Sequence, residues 1–118
     1  MPIRSVPKTI LAASHDPSLA DVRKRTLEGA GYRVIPAMTI LEVTNGCKNN
    51  KVHLVLIGSS LPPSEKRRVW VEAREHCKTP ILELHNGSGP ELMQETHTYV
   101  HHIDGPEDLL QAVQELIR

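Results

Sequence analysis

Short apolar runs recur along the chain, and the segments between them carry apolar residues at helical spacing. The runs at 8–13 and 52–57 are almost continuously apolar, which is typical of strands buried on both faces of a parallel sheet. They are too short to form helices. Similar runs lie at 32–37, 80–84 and 98–103, so the pattern predicts a strand at each of these places.

Capping residues mark where the intervening helices begin. Asp16 stands directly before Pro17, and an acidic cap followed by proline at the first helical position is a common helix start. Thr39 and Glu42 have the spacing of a capping box, and Ser64 offers a third cap. The intervals predict helices at about 17–30, 39–45, 64–77, 91–95 and 106–117, of which the second frays by 45–46 and the fourth is a short stub.

Strand and helix alternate strictly along the chain. This order predicts a three-layer, doubly wound α/β fold, in which a parallel sheet carries helices on both faces through right-handed crossovers. The expected strand order is 2-1-3-4-5, the flavodoxin-like arrangement, with the first and last helices on one face. Pro36 lacks a backbone N–H and places the second strand at an edge of the sheet. We expect residues 1–118 to form a single domain.

Positive and negative charges balance, with 14 lysines and arginines against 14 aspartates and glutamates. Nucleic-acid binding normally requires a basic surplus or stripe, so no direct nucleic-acid partner is expected. The two dense basic clusters, 23–25 and 66–68, lie in helical segments beside acids and are interpreted as solvated helix faces. The apolar face of the first helix is assigned to Leu19, Val22, Leu27 and Ala30.

The cysteines and the apolar runs indicate the cellular compartment in which the protein is expected. Cys47 and Cys77 show neither a CxxC arrangement nor a metal-binding spacing, and are interpreted as reduced thiols of a cytosolic protein. No apolar run approaches the roughly 18–20 residues that a membrane span requires, and the first residues do not resemble a signal peptide. The sequence therefore predicts a cytoplasmic protein with no membrane partner.

The short segments that join strands and helices identify a fold family more specifically than the alternation of strands and helices does. An apolar strand enters a polar cluster and a proline-started helix at 10–19, and a Gly-rich turn opens the second strand at 29–34. Further junctions of this kind lie at 53–62, 79–82 and 99–110. In this order they resemble the response regulator receiver domain family (CheY-like) over nearly the whole chain. The resemblance implies a receiver fold, a role in bacterial two-component or phosphorelay signalling, and a protein partner: a kinase, an output domain or a second copy.

The residues on which receiver chemistry depends are absent. Receivers accept a phosphoryl group on an aspartate at the end of the third strand, beside a divalent ion held by acidic residues. The resemblance places the acceptor position at Gly58, the acidic pair at Ser14 and His15, the hydroxyl position at His85 and the lysine position at His102. It thus implies a degenerate receiver, or pseudo-receiver, with no catalytic residue and no cofactor. The leading hypothesis is a protein-interaction module that works without phosphorylation.

An alternative hypothesis uses the histidines. His15, His85 and His102 each follow or end a strand, and we expect them to converge at the carboxyl edge of the sheet, where doubly wound folds bind ligands. With Asp16 and Ser59 nearby, this edge suits a sensor of a small ligand, an anion or a transition metal. Neutral drift of a lost phosphorylation site explains the same residues, and we assign no metal ligand. Tyr99 matches the aromatic switch position of receivers, although without an acceptor the favoured interpretation is a half-buried strand tyrosine that packs on the last helix.

Overall fold

The computed structural model describes residues 7–85, 98–102 and 106–117. The strands are β1 (Thr9–Ala13), β2 (Arg33–Ala37), β3 (Leu54–Ile57), β4 (Ile81–His85) and β5 (Thr98–His102). The helices in this part of the chain are α1 (Pro17–Gly29), α2 (Ile40–Asn49), α3 (Pro63–His76) and α4 (Pro106–Leu116). The helical stub expected at 91–95 lies outside the described residues.

The strands form one parallel sheet in the order β2-β1-β3-β4-β5. The predicted parallel α/β fold is confirmed. In the edge strand β2, Arg33 donates its N–H to the carbonyl of Lys8 at 2.9 Å, and the carbonyl of Ala37 accepts from the N–H of Ser14 at 3.0 Å. Peptide groups alternate in direction along a strand. Pro36 therefore turns its nitrogen, which has no hydrogen to donate, towards the open edge.

Two apolar clusters cover the two faces of the sheet. The cluster under α2 and α3 includes Val55 of β3, whereas the cluster under α1 and α4 includes Leu54 and Leu56 of the same strand. Because successive strand residues point to opposite faces, β3 contributes to both clusters, and all of its residues are buried. The first and last helices share one face, as predicted.

Two of the predicted helix caps are confirmed. The Asp16 carboxylate accepts hydrogen bonds from the N–H groups of Ser18 and Leu19, at 3.0 and 3.2 Å. Thr39 Oγ1 accepts from the N–H of Glu42 at 3.1 Å. Each bond satisfies a donor that has no partner within the first helical turn, so these side chains set where α1 and α2 begin.

Two helix boundaries differ from the prediction. The cap predicted at Ser64 is wrong, because α3 begins at Pro63, whose fixed φ suits the first helical position, and no side chain caps it. The predicted fraying at 45–46 is also wrong, since α2 continues to Asn49. A Cβ at Gly46 would lie 2.7 Å from Leu11 Cδ1. Glycine is thus placed within this helix because it permits close packing of α2 on β1.

Each basic cluster contributes one side chain to the interior. Arg23 is 8% exposed and Lys66 is 5% exposed, whereas Val22, expected to be buried, is 54% exposed. The interpretation as solvated faces is therefore wrong for Arg23 and Lys66, although most of the other residues of the two clusters are exposed. The assignment of Val22 to the buried stripe is also wrong. α1 faces the sheet along Arg23 and Leu27, one turn apart. Whether a charged side chain is buried depends on the partners that the tertiary fold supplies. The spacing of apolar residues along a helix does not reveal these partners.

Cys47 and Cys77 form a disulfide, with their Cα atoms 4.9 Å apart. The interpretation of these residues as reduced thiols is wrong. Cys47 lies near the end of α2 and Cys77 directly follows α3, and both helices cover the same face of the sheet. The cytoplasmic location, which rested partly on reduced thiols, stays a prediction. No helix in the described ranges has the length and apolar character needed to cross a bilayer.

Candidate functional site at the carboxyl edge of the sheet

The loops that follow β1 and β3 lie side by side at the carboxyl edge. Gly58 donates its N–H to the carbonyl of Ala13 at 2.9 Å, which continues the β1–β3 ladder into the loops. Ser60 Oγ accepts from the N–H of His15 at 3.2 Å and lies 3.4 Å from Ser14 Oγ. These hydrogen bonds bring Ser14, His15 and Gly58 together, three of the positions that the sequence singled out.

Gly58 has no space for a side chain. A Cβ built on this residue would lie 2.9 Å from the carbonyl oxygen of Ala13 and 2.8 Å from Nη1 of Arg23. Both distances are shorter than ordinary contacts of a Cβ atom. The volume that an acceptor side chain would need is therefore closed by the backbone on one side and by a guanidinium on the other.

Arg23 reaches this position from α1. Its Nη2 donates to Ser59 Oγ at 2.8 Å, while Nη1 is buried without a hydrogen-bond partner. Burial lowers the pKa of the guanidinium, and the negative charge of Asp16 opposes this effect. Both follow from the cost of desolvating a charge and the attraction of an opposite one. The edge thus contains a buried cation beside Gly58, the residue that the resemblance places at the acceptor position.

Sequence reasoning missed Arg23, although one signal was present. Leu19, Arg23 and Leu27 follow one another at four-residue intervals, the spacing that places side chains on one helical face. The apolar residue Val22 also has helical spacing relative to Leu19, and hydropathy alone favours it for the buried face. The Arg23 guanidinium fits at the end of β3 because Gly58 has no side chain there. The sequence of α1 alone does not indicate this, since Gly58 lies 35 residues further along the chain.

His15 and Asp16 are engaged by the helices around them. The exposed His15 ring places Nδ1 3.3 Å from the Glu65 carboxylate of α3. Asp16 caps α1, as described above. The Asp16 carboxylate is therefore used to begin a helix.

His85 ends β4, two strands away from β1, and His102 ends β5, three strands away. The β4–β5 register pairs His85 with His102, so their Cα atoms are neighbours at the edge. Strands are spaced by about 4.8 Å, which puts β3 and roughly 10 Å between the ends of β1 and β4. The side chains of His102 and Tyr99 lie outside the described residues, so the expected convergence of the three histidines and the switch role of Tyr99 stay predictions.

A buried ion pair lies beneath the edge, between α3 and β4. Lys66 Nζ donates to the Glu83 carboxylate at 2.8 Å and to the carbonyl of Leu84 at 3.0 Å. Glu83 is fully buried. Neither residue was singled out from the sequence, because a glutamate inside a strand and a lysine in a basic cluster give no sign of each other.

One group of possible metal ligands occurs among the described residues, and it is far from this edge. Glu72, Glu75 and His76 offer ligand atoms within 4.8 Å of one another near the end of α3. A helix that follows a parallel strand runs back along the sheet, so the end of α3 lies towards the opposite edge. The group is also explained by an i,i+4 pair between Glu72 and His76 at 3.2 Å.

The sheet order and the paired loops at its carboxyl edge define the fold of CheY-like receiver domains. The chain is similar to chemotaxis protein CheY4 of Vibrio cholerae, with 22% identity over 95% of this chain and 100% of that chain and a TM-score of 0.78. A CheY-like receiver domain protein from Methanospirillum hungatei gives 23% identity, 93% coverage of both chains and a TM-score of 0.76. An adenylate cyclase structure from Rhodopirellula baltica gives 19% identity over 95% of this chain and 88% of that chain, with a TM-score of 0.79. No protein-family model and no curated protein matches the sequence.

Proposed function

We propose that this chain is a degenerate receiver domain in bacterial-type signal transduction that binds a protein partner without being phosphorylated. The observation that carries the proposal is the position of Arg23. Its guanidinium lies against Gly58, where receivers carry the acceptor aspartate, and leaves no room for a side chain. The candidate partners are a kinase, an output domain or a second copy of the chain.

The surroundings of Gly58 support the loss of phosphoryl transfer. Receiver chemistry needs a carboxylate nucleophile and a divalent ion bound by further carboxylates. Ser14 and His15 supply no carboxylate, and Asp16 is bonded to the first turn of α1. A guanidinium neither holds a metal ion nor accepts a phosphoryl group. The same edge therefore carries the permanent positive charge of Arg23, whereas a receiver has an aspartate there whose charge changes on phosphorylation.

The proposal also excludes catalysis by the serines at the edge. Nucleophilic catalysis requires a base within hydrogen-bond reach of the hydroxyl. Ser59 Oγ accepts from Arg23, and the ring of His15 is directed to Glu65. These contacts favour a binding module over a hydrolase.

Phosphodonor treatment tests the proposal directly. We expect the intact mass to stay unchanged after incubation with acetyl phosphate and Mg²⁺, while a phosphorylatable receiver treated in parallel gains one phosphoryl group. The Gly58→Asp variant should also stay unmodified, because the acidic pair is still missing. A mass increase of one phosphoryl group in the unaltered chain would overturn the proposal.

A further inference from the structure

We propose that Arg23 is the anchor of a binding site for a small oxyanion at the carboxyl edge of β1 and β3. The site is separate from the histidines and involves reversible binding instead of covalent modification. It goes beyond the proposed interaction role, which assigns no ligand to this edge.

The first argument is the incomplete bonding of the guanidinium. Arginine is almost never fully buried unless it is paired, because a buried charge without a counter-ion costs several kcal/mol. Arg23 is 8% exposed, yet its side-chain partner is the neutral hydroxyl of Ser59, and Nη1 has none. The other buried cation, Lys66, has a carboxylate at 2.8 Å. The comparison within one molecule shows that Arg23 lacks the directly bonded carboxylate that Lys66 has.

The second argument concerns the carboxylates around Arg23. Asp16 is near enough to act on the guanidinium through its charge, but its Oδ1 accepts from two N–H groups of α1. Glu65, the acid closest to His15, is engaged by that ring. No ion pair joins Arg23 to a carboxylate in the part of the chain that the structure describes. The position of a counter-ion is therefore open to a ligand.

The third argument is the set of donors at the rim. Ser59 Oγ accepts from Arg23, so that its own hydrogen is available to a ligand. Nη1 is buried, and the proposal requires the guanidinium to move outwards on binding, towards the half-exposed Ser59 and Ser60. A guanidinium and a neighbouring hydroxyl together match two oxygens of a phosphate or a carboxylate. The ligand is therefore a small oxyanion.

Thermal unfolding of the full chain tests the site. The probes are sodium phosphate, sodium sulfate and sodium acetate, each compared with sodium chloride at the same ionic strength. Ligands that bind the folded state raise the melting temperature saturably. We expect such a rise with at least one of the three oxyanions, and the order of phosphate, sulfate and acetate then separates a phosphate site from a carboxylate site.

Two variants identify the anchor. Arg23→Met should abolish the oxyanion-specific rise. Arg25→Met should retain it, since Arg25 lies on the same helix but is 79% exposed and paired with Asp21. If Arg23→Met does not fold, backbone amide NMR of the unaltered chain replaces it, and we expect saturable shifts at 58–60. Equal effects of chloride and every oxyanion, or an unchanged rise in Arg23→Met, would overturn the proposal. Because binding is reversed by dialysis, it is distinguishable from phosphorylation, which leaves a mass increase.

Discussion

Replacement of Gly58 by alanine tests directly whether Arg23 fills the space beside this residue. The new methyl group would lie 2.8 Å from Arg23 Nη1 and 2.9 Å from the Ala13 carbonyl oxygen. The guanidinium must move, and the β1–β3 ladder must open slightly. Overpacking of this kind costs about 1–3 kcal/mol. For a domain of this size, that lowers the melting temperature by roughly 4–12 °C.

The assay is urea unfolding followed by circular dichroism, applied to a double-mutant cycle. Gly58→Ala, Arg23→Ala and the combined variant are measured with the unaltered chain. Removal of the guanidinium relieves one of the two close contacts and leaves the contact with the Ala13 carbonyl. We therefore expect the combined variant to be more stable than the sum of the single losses by about 1 kcal/mol, a typical coupling between residues in contact.

Gly29→Ala is the matched control. A Cβ at Gly29 meets nothing within 4 Å, and alanine in a helix is more favourable than glycine by roughly 0.5–1 kcal/mol. This variant should be at least as stable as the unaltered chain. Strict additivity in the cycle, or a Gly58→Ala variant as stable as Gly29→Ala, would refute the placement of Arg23.

Three further predictions follow from other contacts. Replacement of Cys47 and Cys77 by serine should lower the free energy of unfolding by about 3–4 kcal/mol under oxidising conditions, because the bond closes a loop with a sequence separation of 30. Lys66→Met should cost about 3–5 kcal/mol by leaving the Glu83 carboxylate buried without its cation, and Lys66→Met combined with Glu83→Leu should recover most of this loss. Burial raises the pKa of Tyr32 above its usual value of 10.0, so its contribution to stability is complete below that pH and is lost as the pH rises through the higher, folded-state value.

Each of these has a measurement that separates it from a general loss of stability. The disulfide prediction requires the difference between variant and unaltered chain to vanish when a reductant is present. The ion-pair prediction fails if the combined variant is no more stable than Lys66→Met. For Tyr32, the difference between the ultraviolet titrations of the folded chain and of Tyr32→Phe isolates its phenol. We expect that phenol to ionise above its ordinary pKa, and ionisation at or below that value would contradict the prediction.

The parts of the structure that were predictable are those decided by neighbouring residues. The continuous apolar run of β3 indicates burial on both faces, and the caps at Asp16 and Thr39 depend on bonds within three residues. The parts that were not predictable depend on contacts that the fold alone creates. The disulfide requires two helix ends to meet, and the burial of Lys66 requires Glu83 on a strand 17 residues away. Arg23 is the clearest example of such a contact. Hydropathy favours Val22 for the face of α1 that packs on the sheet, yet the structure buries the neighbouring Arg23 there and leaves Val22 exposed.

The proline in β2 has a consequence for how this domain can associate with other chains. An exposed strand edge is a template on which another chain can add a strand, and proteins commonly block it with proline. In β2, the alternate residues Val34 and Pro36 direct their backbone nitrogens outwards, and only Val34 has a hydrogen to donate. An incoming strand at this edge would lose half of the available donors. Strand addition at β2 is therefore disfavoured, and a partner that approaches from this side has to dock through helix side chains.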